Sequence, residues 1–268
     1  MSVQAGKWSD LRLRIISAAV MVVVAGFDIW LGGRWFLVML ALISAAMVWE
    51  AARLGNAPSG LLRDWVLPFA GGLSVMVAQW VGVPLGFGVI AIVAAGVFLL
   101  AAQLRQRLAF YAFFAMVAAL CLFFIREVYG LAVLLWLIGI VIASDVMGYF
   151  AGRVFGGPKF WPSVSPKKTW SGTIAGWAGA AIVGWLLSDI LIAASKGGLP
   201  LSIPVFSVLL AFAAQMGDIV ESALKRQAGI KDSSSLIPGH GGVLDRFDGM
   251  IGAALLFLPV VFVAEVFA

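Results

Sequence analysis

Residues 131–150 read LAVLLWLIGIVIASDVMGYF, a run in which Asp145 is the one charged position. As a helix rising 1.5 Å per residue, such a run is about 30 Å long, the thickness of a bilayer's hydrocarbon core. A helix bonds all its backbone polar groups internally, so a single segment can cross hydrocarbon in that form. The stretch is therefore read as a membrane span. A carboxylate near the bilayer centre costs about 2.5–3.5 kcal/mol on insertion scales, so Asp145 needs a partner, water or a purpose.

Similar runs recur along the chain. Spans are expected near Ile15–Leu31, Trp35–Leu54, Trp65–Val81, Leu85–Leu100, Leu108–Ile125, Leu131–Phe150, Thr173–Ala193, Ile203–Leu224 and Gly249–Val266. The fold class is an all-α, polytopic transmembrane bundle of about nine spans. Composition agrees: of 268 residues 63% are hydrophobic and 12% charged, about half the charge of a soluble domain. Mean hydropathy is +1.07. The 11 tryptophans and 31 glycines suit interfacial belts and close helix packing. Cys121 is the single cysteine, which excludes an intrachain disulfide and a cysteine-based metal site. Residues 1–14 lead into the first apolar run without a small-residue cleavage site and are expected to belong to an uncleaved first span. The chain reads as one integral membrane domain over 1–268. Within it, 1–130 holds less specific spans, and 131–268 carries the polar loops 151–172 and 225–248.

Nine spans divide the 18 lysines and arginines unequally. One side receives fifteen; the other receives only Arg34, Arg126 and Lys196. The positive-inside rule then places the N-terminus and both polar loops in the cytoplasm of a multi-pass protein of the cell (inner) membrane. The net charge of +5 is accordingly not a nucleic-acid signature.

Asp28 and Asp189 sit near the outer span ends, where solvated headgroups suffice. Asp145 and Asp218 are expected about 8–9 Å below the cytoplasmic surface, at matching depth, where they could line one pocket. Asp218, Glu221, Ser222 and Lys225 share one helical face; the bland alternative is a polar stripe that only pairs Glu221 with Lys225. Gly148 and Gly152 beside Tyr149 form a small-residue face for close packing.

The loop before the last span reads SALKRQAGIKDSSSLIPGHGGVLDRFD over 222–248. Asp245 and Asp248 are three apart at a helix start and, with Asp218, suit a hard cation such as Mg²⁺; helix capping is the alternative. Gly239, Gly241 and Gly242 let backbone N–H groups face an anion. His240 reads equally as a phosphate donor or a structural histidine. In the earlier loop Lys167 and Lys168 suit phosphates, Ser165 and Thr169 add hydroxyls, and Pro166 stiffens the chain. An ordinary basic cluster attracted to anionic headgroups is the alternative.

The 222–248 segment resembles the signature of the CDP-diacylglycerol synthases (phosphatidate cytidylyltransferases): S-x-x-K-R, four residues, K-D, then P-x-H-G-G-x-x-D-R-x-D. The likeness extends to Gly217-Asp218, to Ser165-Pro-Lys-Lys-Thr-Trp170, and back to Asp145 and Gly152-Arg153, about the C-terminal half. Two departures stand out: Ser171 where many members have glutamate, and Ser233-Ser234-Ser235 where glycine is often found. The resemblance implies that CTP and phosphatidic acid give CDP-diacylglycerol and pyrophosphate in phospholipid biosynthesis. It implies Mg²⁺, with or without a second cation, held by Asp218, Asp245 and Asp248, Asp145 being a weaker ligand. Lys225 and Arg226 join the aspartates as catalytic residues. Ser165, Lys167, Lys168, Thr169, Lys231, His240, Gly241, Gly242 and Arg246 then contact substrate phosphates. The bilayer is the partner, no nucleic acid is expected, and a homodimer is compatible with the sequence. Alternatives are a polyprenol-type kinase, a cytidylyltransferase for another lipid backbone, and a transporter lined by Asp145 and Asp218.

Overall fold

The computed structural model describes residues 2–194, 199 and 202–267; Lys196, one of the three cations on the sparser side, lies outside them. The helices are α1 Ser2–Leu31, α2 Gly33–Leu54, α3 Leu67–Ala78, α4 Val83–Leu100, α5 Arg105–Phe124, α6 Gly130–Val154, α7 Trp170–Leu186, α8 Ser188–Ala194, α9 Ile203–Gln227 and α10 Leu244–Phe267. Short π-helical turns, Leu62–Val66 and Ile125–Tyr129, lead into α3 and α6. Six helical stretches among the described residues are long and apolar enough to cross a membrane, or seven if α7 and α8, bent by 61°, form one broken span.

The all-α, polytopic architecture therefore holds, and the nine expected segments are all helical. The smaller number of qualifying stretches has a physical origin. Residues Arg105–Val154 count as one stretch of 50, and α3 has only 12 residues. The loop 151–172 is more ordered than its basic composition suggests. It folds into an antiparallel hairpin of β1, Lys159–Trp161, and β2, Ser165–Thr169, with Lys159 opposite Thr169 and Trp161 opposite Ser165.

The chain divides into two compact units, Met1–Phe113 with Ala228–Arg246, and Phe114–Gln227 with Phe247–Ala268. In the first, α2 buries Phe36, Leu37, Leu40, Ala41, Met47 and Val48 and packs on α3 and α4. The spacing of these residues puts them on one stripe. Gly72 lies so close to α2 that a Cβ there would come 2.8 Å from the Ala41 carbonyl oxygen. Before α3, the Asp64 carboxylate accepts from Arg63 Nε at 2.7 Å, Gly60 N at 2.9 Å and Trp49 Nε1 at 3.0 Å. These donors, Arg63 foremost, hold its pKa down at about 2.

In the second unit, α6 and α7 meet through glycines. A Cβ on Gly148 would come 3.2 Å from the Gly172 carbonyl oxygen, and one on Gly152 would come 2.9 Å from Thr169 Oγ1. The close-packing face expected at Gly148 and Gly152 is thus present. Trp136, Phe206 and Phe257 form a fully buried aromatic cluster, with ring centroids 5.5–6.3 Å apart. The buried Trp136 indole donates to Ser207 Oγ at 3.2 Å, which satisfies its one polar atom. Many large apolar side chains remain exposed, Val22, Ile92, Leu99 and Trp185 among them. Lipid tails cover such side chains in a membrane protein.

A methyl group at Gly172 would sit 2.5 Å from the Gly148 carbonyl oxygen, whereas one at Gly88 meets open space. Gly172→Ala is expected to cost about 1–3 kcal/mol, as overpacking does. It should lower the midpoint of thermal unfolding in detergent, with Gly88→Ala unchanged. Equal midpoints for the two variants would show that α6 and α7 are not in close contact there.

Candidate active site

Helices α6, α7 and α9 and strand β2 of the second unit line a cavity of about 430 Å³. Asp145, Tyr149 and Arg153 face it from α6, Lys167, Lys168 and Thr169 from β2, and Gln215 from α9. Asp145 and Asp218 each stand nine residues before the last residue of their helices, Val154 and Gln227. Both helices run past the expected span ends.

Each predicted residue of this unit has a definite place. Lys168 Nζ forms an ion pair with Asp218 Oδ2, and Ser222 Oγ donates to Asp218 Oδ1 at 3.1 Å. Lys225 is buried and paired with Glu221 on the preceding turn, so the polar stripe of α9 is bonded along its own helix. Arg226 and Lys167 are exposed, and Ser165 opens β2. Thr169 is buried: its hydroxyl accepts from Gly172 N at 3.2 Å and caps α7, while Thr173 Oγ1 donates to its carbonyl at 3.1 Å. The Ser171 hydroxyl, at the position where resemblance leads one to look for glutamate, donates to the Gly156 carbonyl and lies 3.0 Å from Thr169 Oγ1. It therefore ties the α6–β1 turn to the α7 cap.

Asp248 and Asp218 come together because their helices touch backbone to backbone. A Cβ on Gly217 would collide with the Asp248 carbonyl oxygen, and one on Gly252 with the Ala213 carbonyl oxygen. Gly217 on α9 and Gly249 and Gly252 on α10 permit this approach. The Asp248 carboxylate consequently lies within Coulombic range of Asp218 and Asp145, and of the Lys225 ammonium. Among the described residues no three His, Cys, Asp or Glu side chains are grouped tightly enough to hold a metal by themselves.

The first unit carries the other part of the signature. Its Ile237–Gly241 turn is closed by Ile237 N donating to Gly241 O and His240 N to Ile237 O, each at 2.9 Å. Gly239 and Gly241 supply the positive φ values, 75° and 86°. The N–H groups that follow do bind anions, but those anions are the protein's own. Gly242 N donates to Asp245 Oδ2 at 2.7 Å, and Val243 N and Leu244 N donate to the two oxygens of Glu50 at 2.9 and 2.7 Å. Asp245 Oδ2 also accepts from Ser233 N and Ser233 Oγ, each at 2.8 Å. His240 Nδ1 lies 2.9 Å from Ser17 Oγ, and Arg246 donates twice to the His240 carbonyl at 3.0 and 2.8 Å. Lys231 and Arg246 are exposed.

Two residues escaped the sequence reading. Glu50 is a lone carboxylate in an apolar run, the same signal that singled out Asp145. Gln215 carries no charge and gave none. It is buried, donates to Ser144 Oγ at 3.1 Å and to the Thr173 carbonyl at 3.3 Å, and its Oε1 has no hydrogen-bond partner.

The model of the family described as "Cytidylyltransferase family" matches residues 12–264. The chain is 38% identical over 256 residues to a phosphatidate cytidylyltransferase of Brucella abortus, covering 92% of each chain. It is 32% identical over 257 residues to the enzyme of that name from Helicobacter pylori, covering 95% of this chain and 93% of the relative. For the Bacillus subtilis protein of that name the identity is 27% over 258 residues, covering 90% and 94%.

Because Gly217 lets α9 and α10 touch, Gly217→Ala should push Asp218 away from Asp248. CTP-dependent turnover is expected to fall about tenfold or more, as small misplacements of reacting groups do, while the protein still accumulates in membranes. Wild-type turnover in that variant would show that the spacing of these two aspartates is immaterial.

Proposed function

We propose that this chain, which belongs to the cytidylyltransferase family, transfers CMP from CTP to phosphatidic acid, giving CDP-diacylglycerol and pyrophosphate. The observation that carries the reading is the Lys168–Asp218 ion pair beside Asp248, at the edge of a cavity lined by two lysines and an arginine. An oxygen of the lipid phosphate forms a bond to the α-phosphorus of CTP. The bond from that phosphorus to the bridging oxygen of the β-phosphate breaks, and pyrophosphate leaves with the electron pair. The attacking group is already an anion, so the protein needs no activated serine or cysteine. What it must supply is a place where two polyanions can meet.

In the resting protein Lys168 and Asp218 neutralise each other. Each has a better-matched partner in the substrate complex: phosphate for the ammonium, a divalent cation for the carboxylate. Asp218 and Asp248 would hold Mg²⁺, which would supply positive charge against the repulsion of the phosphates; Asp245 is the third aspartate of the family signature. Lys167, Lys168 and Arg153 hold phosphates at the cavity. Lys231 and Arg246 offer exposed cationic side chains on the signature loop. Lys225, buried against Glu221, keeps its charge near Asp248 and helps to offset the like charges gathered there. Thr169 acts through the α7 cap that positions Lys167 and Lys168. Gly241 and Gly242 act by shaping the turn that presents His240.

We further propose that both loops face the cytoplasm, where CTP is found, in a multi-pass protein of the cell membrane. The unequal division of lysine and arginine supports this orientation. A cysteine introduced at Ser163, exposed in the hairpin, should react with a membrane-impermeant maleimide in inverted vesicles and not in intact cells.

Membranes containing the protein, given CTP labelled in the α-phosphate and dioleoyl phosphatidic acid, should put label into lipid and release one pyrophosphate per lipid formed. A kinase would instead release labelled CDP and leave the lipid unlabelled, which would overturn the reading. Asp218→Asn and Asp248→Asn should each lower Mg²⁺-dependent turnover by about 100-fold or more, the scale found when groups stabilising transition-state charge are removed. Near-normal turnover in both variants would refute the metal assignment.

A further inference from the structure

Glu50 stands on α2 with no exposed surface. Its two oxygens face four hydrogen-bond donors, all from the signature loop, the Ser233 hydroxyl being shared with Asp245. Oε1 takes the Ser234 hydroxyl at 2.5 Å and Val243 N at 2.9 Å; Oε2 takes the Ser233 hydroxyl at 3.2 Å and Leu244 N at 2.7 Å. Four is about the full acceptor capacity of a carboxylate. Two of the donors are backbone groups at the start of α10, where the helix dipole also favours a negative group. Gly242 is packed into the same junction, since a Cβ there would collide with both Ser233 Oγ and Glu50 Oε1.

We propose that Glu50 is a positioning residue for the reaction: it sets the 232–244 loop, and this chain's Ser233 and Ser234 hydroxyls are the clasp through which it does so. The inference rests on the proposed function, in that the loop it holds bears His240 and is flanked by Lys231 and Arg246. The wiring is reciprocal. Ser233 spans Glu50 and Asp245, sharing its one hydroxyl proton between them and donating its N–H to Asp245. Asp245 in turn holds Gly242 N. One carboxylate enters from the N-terminal half of the chain and one from α10, and the serine pair closes the ring between them. The serines that depart from the glycines of the family pattern are thereby explained: they add donors to a carboxylate that would otherwise have only the two N–H groups of Val243 and Leu244. Glu50 touches no reacting atom in this scheme. Its effect on chemistry passes through the loop.

The test uses the full-length protein in detergent or vesicles, comparing wild type with Glu50→Gln and with Ser233→Ala/Ser234→Ala. Glutamine keeps the shape but turns an N–H group toward donors. Two readouts are taken: hydrogen exchange of the backbone over 232–244 against 67–100 as an internal reference, and KM for CTP separately from turnover per folded molecule. Glu50→Gln is expected to speed exchange over 232–244 while leaving 67–100 unchanged. It should raise KM for CTP about tenfold, a loss of about 1.4 kcal/mol of binding, and the serine double variant should show the same pattern at smaller size. Adding the serine changes to Glu50→Gln should change little further, as for residues acting through one network. Unchanged exchange over 232–244 overturns the proposal. So does exchange that quickens everywhere with KM unmoved, since that is a merely structural role. If Glu50→Gln does not accumulate, Ser234→Ala, which removes a single donor, is held to the same two readouts. Wild-type protein that forms no CDP-lipid would defeat the proposed function, whereas the exchange comparison decides the clasp on its own.

Discussion

A polar group that hydrocarbon or packed protein seals from water must find its partners inside the chain, and this constraint governs the buried charges among the described residues. Glu50 shows its scale. Burying a carboxylate costs several kcal/mol even after relaxation. Hydrogen bonds to a charged group return about 1.5–3 kcal/mol each. One or two donors would leave the site unfavourable, while the four that Glu50 receives can offset the cost. The same requirement pairs Lys225 with Glu221 and Lys168 with Asp218. Polar function in so apolar a chain is concentrated where such partners converge.

The second governing feature is the removal of side chains. α6 approaches α7 at Gly148, Gly152 and Gly172, and α9 approaches α10 at Gly217 and Gly252. Without a hydrophobic drive between helices in lipid, close packing of small residues supplies much of their association. Here it also sets chemical distances. Gly217 precedes Asp218 in the chain and faces the Asp248 backbone, so the packing contact and the meeting of two carboxylates are one event. The cost of bringing like charges together is borne by helix packing, and Lys168 and Lys225 reduce it.

Much of this was legible in the sequence because hydropathy and helix length are dictated by a single solvent thickness. The helical segments and the close-packing role of Gly148 and Gly152 both follow from periodicity and rise per residue. The hairpin at Lys159–Thr169 was not legible, because two strands so short carry too few residues for alternation to register. The role of Thr169 as a cap was hidden for a different reason. A threonine after two lysines suits phosphate binding and helix capping equally, and only the Gly172 N–H decides between them. Glu50 and Ser233 are joined across 183 positions of sequence, and no local pattern encodes such a pairing.

The glycine-rich turn is where composition and geometry diverge most usefully. Its glycines were read as opening backbone N–H groups to a substrate anion, and the turn does bind anions in just that manner. Yet Gly242, Val243 and Leu244 spend their N–H groups on Asp245 and Glu50. Under the proposed function such a loop meets phosphate through side chains, and Lys231 and Arg246 are exposed cations beside it. Committed donors also stiffen the turn, and a stiff turn would lose less entropy on binding a ligand. The internal carboxylates therefore occupy what a phosphate would otherwise take, and in doing so they fix the frame on which the cationic side chains are displayed.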